Sequence, residues 1–408
     1  MKIILLHYTA PPVIGGVETV LVRQARQLVR AGHQVTIVAG RGERWDAQIG
    51  AEIISLLDAR HPRVLRAKAS LDLSEVPADF NELVHQIESE LRRACDGAQV
   101  IIAHNVASLN KNLALTAALY NLSRDKSQPR QVLWHHDLSG TAERARAELH
   151  SGWPWDLLRT AWPGVKQVTV SDTRRQELAA LFDLPLRQIT LVPSGLDLTD
   201  FLDLPPHLAR LMNDLRLTAA APILLSPVRL TRRKNLEQSL ETLAELRNHM
   251  PDALLIVSGQ SSVLGKDYFE QLQKLRSRLG LENYVIFLSE RFPEGLSERA
   301  LSALYRLADA LLITSREEGF GMPLLEAGLS GLPIFCTDLE PLQALAGENA
   351  LFFSPNDSGK LVAERIAGRL QADPVYRMRV RVRREYTWEA IFLKQMTPLL
   401  NFESHPAD

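Results

Sequence analysis

The sequence predicts an α/β chain of two doubly wound, parallel-sheet domains, and three observations carry that expectation. Short apolar strands alternate with amphipathic helical stretches along almost the whole of its 408 residues. The first unit of strand, glycine turn, helix and strand closes within about 40 residues, the size of a crossover that forces neighbouring strands to run parallel. The alternation then starts afresh after a poorly patterned, proline-containing stretch at Leu202–Ala221. At about 150 residues per domain the length leaves room for two or three.

Taken in order, Ile3–Leu6 is a buried strand that Pro11-Pro12 ends. Gly15-Gly16 makes a turn, and Val17–Ala31 is a helix with Val17, Val20, Leu21, Leu28 and Val29 inward. Gly32 stands where a helix end favours a left-handed residue. His33–Ala39 is the next strand, followed by Ala98–Ala103, Gln131–Trp134, Lys166–Val170 and Gln188–Val192. In the second half the strands are Ile223–Val228, Ala253–Ser258, Tyr284–Leu288, Ala310–Thr314 and Pro333–Cys336. Helices are expected over Leu236–His249, Asp267–Leu279, Ser297–Leu307 and Pro323–Gly331. Ligands of such sheets bind beyond the carboxyl ends of the strands, and two facing domains create a cleft.

Composition excludes several classes. Forty-seven Lys and Arg against 48 Asp and Glu leave a formal charge of −1, so attraction to nucleic acid does not organise the molecule. Cys95 and Cys336 are the two cysteines, without CxxC spacing, which excludes a disulfide framework and a cysteine-built metal site and points to a reducing cytoplasm. The apolar start is too short for a signal peptide, and no run approaches 18 apolar residues, so no transmembrane segment is expected.

Four segments could carry chemistry. Gly15-Gly16-Val17-Glu18 lies between strand and helix, where glycines admit a ligand to the backbone and a helix N-terminus faces an anion. The third glycine of a dinucleotide fingerprint is absent, and a plain tight turn is the competing reading. Arg229 and Lys234 follow the first strand of the second half, placed to clamp a diphosphate or simply to form a solvated basic turn. In Glu318-Gly319-Phe320-Gly321-Met322-Pro323-Leu324-Leu325-Glu326, two carboxylates flank a glycine loop and the start of a helix. Such carboxylates accept hydrogen bonds from sugar hydroxyls while loop amides face an anion. Finally, His135, His136 and Asp137 end a strand, where an imidazole can bond a substrate hydroxyl and Asp137 can orient a ring. Adjacent histidines on a strand point to opposite faces, which argues against a shared metal ion.

Together these segments resemble those of the GT-B glycosyltransferases, specifically the retaining family 4 group (glycosyl transferases group 1). The likeness rests on Gly15–Glu18, Arg229/Lys234, Glu318/Glu326, the Val192–Asp197 segment Val-Pro-Ser-Gly-Leu-Asp, and Tyr386-Thr387-Trp388-Glu389 at the start of a terminal helix. Ser194 departs from the family's usual Asn. The resemblance implies two Rossmann-like domains facing across a cleft. Residues 1–200, joined by about 386–408 packing back, would bind the acceptor, and 201–385 would bind the nucleotide sugar. It implies that Arg229 and Lys234 neutralise the donor diphosphate and that Glu326 holds the ribose. Glu318 with Gly319, Phe320, Gly321 and Met322 would contact the donor sugar, Gly15 and Gly16 would approach it from the first domain, and the active-site histidine is His135 or His136, with His135 preferred. The donor would be of UDP, GDP or ADP type, the transferred group a hexose, the acceptor a hydroxyl of a small soluble, saccharide or lipid-linked molecule, and no metal cofactor would be needed.

Glu18, His136 and Asp137 are the expected acceptor-side residues, together with Arg63 and Arg66 from a basic run that is free of acids from Ala59 to Ser70. That run is an anion-receiving site or a solvated loop. The tryptophan-dense Trp153–Trp162 is a peripheral membrane patch or the packing of a short helix. Arg377, Arg379, Arg381, Arg383 and Arg384 read as an exposed helix. The competing functions are a dinucleotide oxidoreductase, a nucleotide-sugar epimerase and an inactive nucleotide-sugar-binding relative.

Overall fold

The computed structural model describes residues 1–139, 149–215, 217–260 and 266–401. They divide into two compact units, Met1–Gly195 with Trp388 onward, and Leu196–Thr387.

The first unit is built on seven strands: β1 (Lys2–Thr9), β2 (Gln34–Arg41), β3 (Gly50–Ile53), β4 (Val100–His104), β5 (Arg130–His135), β6 (Lys166–Thr169) and β7 (Ile189–Leu191). Their order is β3-β2-β1-β4-β5-β6-β7, and every neighbouring pair is parallel. Strand β1 shows why the sheet forms. Its residues alternate between two core layers: Ile4 and Leu6 pack with the helices Phe80–Ala94 and Leu113–Arg124, while Ile3 and Leu5 pack with the helix Gly16–Arg30. Both faces are therefore covered, which is what a continuous apolar run in a parallel sheet requires. The helical run Trp388–Leu400 lies on the same side as Gly16–Arg30, with Trp388, Ile391, Met396 and Leu399 buried among Leu5, Leu21 and Val132. Trp155 and Trp162 are core residues of the opposite layer, so the tryptophan-dense segment packs inward, with Trp153 half-exposed.

The second unit carries β8 (Ile223–Ser226), β9 (Leu254–Val257), β10 (Val285–Phe287), β11 (Ala310–Ile313), β12 (Ile334–Thr337) and β13 (Leu351–Phe353). The order β10-β9-β8-β11-β12-β13 is again all parallel. The poorly patterned stretch before β8 holds a nine-residue helix, Pro206–Asp214, that turns Leu208, Leu211 and Met212 inward. Strands β3 and β13 were not expected from the sequence. Each stands at a sheet edge and is partly exposed; β3 is interrupted by Glu52, and β13 is an apolar run of only three residues.

Each sheet winds in both directions from a central pair, β1/β4 in the first unit and β8/β11 in the second. The crevice at the carboxyl ends of such a pair is where the fold leaves room for a ligand. Among the described residues no helix is long and apolar enough to cross a membrane.

The arginine-rich helix Pro374–Glu385 corrects the expectation of an exposed face. Arg383 is 4% exposed and grips Asp309 with two bonds of 2.6 Å, while Asp309 Oδ2 also accepts the N–H of Ile223 at 2.8 Å. Arg379 donates to the carbonyls of Arg306 and Ala308 at 2.8 and 2.6 Å. The helix is thus pinned to the amino ends of β8 and β11 by buried charge. Truncating Arg383→Ala removes both short bonds and leaves buried Asp309 with the more distant Arg379 Nε, 3.5 Å from Oδ1, so up to about 3–5 kcal/mol of unfolding free energy should be lost in urea titrations. A loss below about 1 kcal/mol would mean that the pair does not hold the helix.

Candidate functional site

Beyond β8 the chain makes a short 3-10 turn at Arg232–Lys234 and enters the helix Leu236–His249 through Asn235, whose φ is +49°. Three hydroxyl bonds fasten this turn to the end of β11. Thr314 Oγ1 donates to the carbonyls of Lys234 and Asn235, at 3.1 and 2.9 Å, and lies 2.8 Å from Ser239 Oγ. The amide of Arg316 reaches the carbonyl of Arg233 at 2.8 Å. Lys234 is held almost buried, and its Nζ donates to Glu318 Oε1, which also accepts from Ser315 Oγ at 2.7 Å. An ammonium has three N–H donors, so this pairing leaves two for a ligand, and Glu318 Oε2 has no partner among the described residues. Arg229 is exposed and forms no ion pair among the described residues.

Arg229 owes its position to a residue not singled out from the sequence. At Gly259, after β9, a Cβ would stand 1.9 Å from the carbonyl oxygen of Val228, so the Val228–Arg229 backbone passes where any side chain would be. The glycine loop behaves differently along its length. Gly319, Phe320 and Met322 are exposed, whereas Gly321 is buried with φ +103° and begins the helix Met322–Leu329. A residue other than glycine would be strained there. Glu326, one turn into that helix, is half-buried, and its Oε2 accepts the hydroxyl of Tyr305. Burial first, and then that carboxylate, raise the pKa of the Tyr305 phenol, so Tyr305 stays a neutral donor that fixes the Glu326 side chain.

In the first unit, Gly15 is extended and Gly16 starts the helix with open space where a Cβ would be. At Gly15 a Cβ would come within 2.2 Å of Glu18 Oε2, so the glycine lets this carboxylate fold over the turn. Glu18 Oε1 accepts from Thr9 Oγ1 and lies 3.9 Å from His7 Nε2. At the end of β4, Asn105 adopts φ +59° and its Oδ1 accepts the amides of His136 and Asp137, at 2.8 and 3.2 Å. That clamp decides what the two histidines do. His135 points into the core, wholly buried, with Nδ1 2.6 Å from Ser108 Oγ and Nε2 2.8 Å from Gln167 Oε1. The preference for His135 is therefore corrected: both of its nitrogens are engaged, and the accessible imidazole is the half-buried His136. Asp137 is exposed.

The basic run near residue 60 forms a helix, Pro62–Leu71, rather than a loop. Arg63 donates to Gln86 at 2.7 Å and lies 3.8 Å from Glu82, while Arg66 is exposed. Arg63 is thereby tied to the neighbouring helix Phe80–Ala94. The residues missed by sequence reasoning are His7, His104, Asn105, Gly259, Tyr305 and Ser315. Of these, His7 and His104 end apolar strands in the same way as His135, a signal that was present in the sequence.

Two family models cover most of the chain. Residues 14–200 match Glycosyltransferase Family 4 and residues 210–383 match Glycosyl transferases group 1. MMP alpha-(1->4)-mannosyltransferase of Mycolicibacterium hassiacum is 25% identical over 400 residues, covering 92% of this chain and 90% of that protein. GDP-mannose-dependent alpha-(1-6)-phosphatidylinositol monomannoside mannosyltransferase of Mycolicibacterium smegmatis is 26% identical, over 79% of this chain and 77% of its own length. D-inositol 3-phosphate glycosyltransferase of Corynebacterium jeikeium is 30% identical, over 48% of each.

Two measurements test this construction. Gly259→Ala forces the Val228–Arg229 backbone to move and should cost about 1–3 kcal/mol in denaturation experiments, as overpacking does; an unchanged midpoint would refute the close approach. Burial lowers the pKa of both His135 and His136 to about 4. Between about 4 and the unperturbed 6.5 the unfolded chain binds more protons than the folded one, so the stabilisation is complete above 6.5 and is lost as pH falls toward 4. Each histidine contributes a slope of up to about 1.4 kcal/mol per pH unit in that window. The urea midpoint should be flat from pH 7 to 8 and fall below 6.5, less steeply in His135→Gln.

Proposed function

The chain belongs to the group 1, family 4 glycosyltransferases, and we propose that it moves a hexose from a nucleotide-diphosphate sugar to an acceptor hydroxyl with retention of configuration. The observation that carries this reading is the switch-point cluster of the second unit, where Lys234 is paired with Glu318 and backed by Ser315, beside exposed Arg229. Two cations against one carboxylate leave a positive balance for a diphosphate. Breaking the sugar–phosphate bond builds negative charge on that leaving group while the sugar gains oxocarbenium character. Fixed cations aimed at the leaving group stabilise this state by roughly 3–4 kcal/mol per key donor, judging from deleted oxyanion-hole donors.

The remaining groups take complementary tasks. Glu318 Oε2 receives a hydroxyl of the donor sugar, with the amides around Gly319 and Phe320 nearby in the loop. Glu326, fixed by Tyr305 through one oxygen, offers the other to the ribose hydroxyls. On the acceptor side, Glu18, His136 and Asp137 present polar atoms at the carboxyl edge of β1 and β5. With retention by front-side attack, the departing phosphate takes the proton of the acceptor hydroxyl, so no carboxylate base is required. The charge supplied by Arg229 and Lys234 makes a metal unnecessary on this reading.

Mannose is the sugar named for two of the relatives above, so GDP-mannose is the first donor to try. The test is a thermal-shift series without added metal using UDP, GDP, ADP, GDP-mannose, UDP-glucose and NAD. One nucleotide diphosphate should stabilise the protein, by about 2.7 kcal/mol at 100 times its Kd. That shift should disappear in Lys234→Ala and shrink in Arg229→Ala. Stabilisation by NAD alone would overturn the reading, and a product of inverted configuration in the subsequent transfer assay would overturn retention.

A further inference from the structure

The carboxyl edge of β1, β4 and β5 holds more imidazole than the proposed reaction uses. His7 Nδ1 lies 2.8 Å from the carbonyl oxygen of His104. A carbonyl only accepts, so His7 carries its proton on Nδ1 and turns the lone pair of Nε2 toward Glu18. His104 Nδ1 in turn lies 3.0 Å from His136 Nε2, the ring centroids being 5.3 Å apart and the planes 29° from parallel, so the rings meet edge to edge. One proton serves those two nitrogens. His104 is completely buried, its ring lies 5.3 Å from that of Trp134, and its Nε2 has no partner among the described residues.

That orphaned nitrogen decides where the shared proton resides. If His136 donated, His104 would have to keep its own proton on Nε2 and bury an N–H with no acceptor. With the proton on His104 Nδ1, only a lone pair is left unpaired, and buried orphan N–H groups are the rarer and costlier case. His136 then accepts at Nε2 and carries its own proton on Nδ1, which has no partner among the described residues on a half-buried side chain. Burial lowers the pKa of all three histidines, which keeps them neutral and their tautomers meaningful at pH 7.

We propose that His104 is a positioning residue that gives its two neighbours opposite polarity, His136 a donor through Nδ1–H and His7 an acceptor through Nε2. A hydroxyl both donates and accepts, so each imidazole is matched to a hydroxyl of a ligand, one by donating and the other by accepting. This role rests on the glycosyltransferase reading for its ligand, whereas the tautomers themselves do not. His104 acts on His136 with its side chain and on His7 with its backbone carbonyl, so a side-chain substitution separates the two effects.

The test is the long-range 15N–1H spectrum of histidine-labelled full-length protein at pH 7.5, assigned with single-histidine variants. His7, His104 and His136 should all show the Nδ1–H form, the minority tautomer of a free histidine side chain. In His104→Phe, which keeps a ring on Trp134, His136 should shift toward Nε2–H while His7 stays as it was. His104→Asn, which can return an amide N–H to the place of Nδ1, should restore His136. His136 in the Nε2–H form in the native protein, or unmoved in His104→Phe, would overturn the proposal, and the native spectrum decides even if a variant fails to fold. In transfer assays His104→Phe should lower kcat roughly 10- to 100-fold, the usual cost of removing a group that orients an imidazole. Its thermal shift with the nucleotide diphosphate should be unchanged. Loss of that shift in the native protein would instead count against the glycosyltransferase reading, leaving the tautomers to be judged by the spectrum.

Discussion

Strand direction is the constraint on which everything else depends. Because every neighbouring pair in both sheets is parallel, all strands of a unit end on the same edge, and the chain must leave that edge by loops. The fold therefore gathers residues from distant parts of the sequence onto one rim. In the second unit that rim joins Lys234 to Glu318, 84 residues apart, and in the first it joins His7, His104 and His136. No individual loop contains a working set of groups; the ends of β8 and β11 assemble one in the second unit, and those of β1, β4 and β5 one in the first.

Keeping those groups in place takes polar contacts rather than more apolar burial. Thr314 bonds the Lys234 turn, Thr337 Oγ1 bonds the carbonyl of Ser315 at 2.8 Å, and Ser226 Oγ bonds that of Leu312 at 2.6 Å. Each is a buried hydroxyl bonded to a carbonyl at or near a strand end, so the loops carrying Lys234 and Glu318 are tied to the rigid sheet. Asn105 does the same for β5 in the first unit, catching two successive amides with one oxygen. These hydroxyls and amides satisfy backbone groups that the end of the strand ladder leaves open.

The charged residues divide by what surrounds them. Arg383 and Asp309 are buried as a closed bidentate pair that leaves little capacity for a ligand, and they hold a helix. Lys234 and Glu318 are nearly as buried but joined through one oxygen, with donors and an acceptor left over. The same pairing of cation and carboxylate thus serves architecture in one place and chemistry in the other, according to how many of its hydrogen-bonding positions are filled.

Much of this was determined by the sequence alone. Apolar runs buried on both faces named the central strands, and the helix Leu236–His249 agrees residue for residue because its apolar period is sustained over its whole length. Arg229, Lys234, Glu318 and Glu326 were legible because glycines, proline and strand ends frame them. The edge strands β3 and β13 were not, since one is broken by Glu52 and the other is only Leu351–Phe353, too short for a pattern. Tertiary structure alone decided which of two adjacent histidines faces outward, because alternation along a strand gives opposite directions without saying which side is the core. It also decided that Arg383 is structural, that Gly259 gives way to the Arg229 loop, and that Tyr305 holds Glu326. Those facts depend on contacts between residues that pairing of separate strands brings together, and no local pattern in the chain records them.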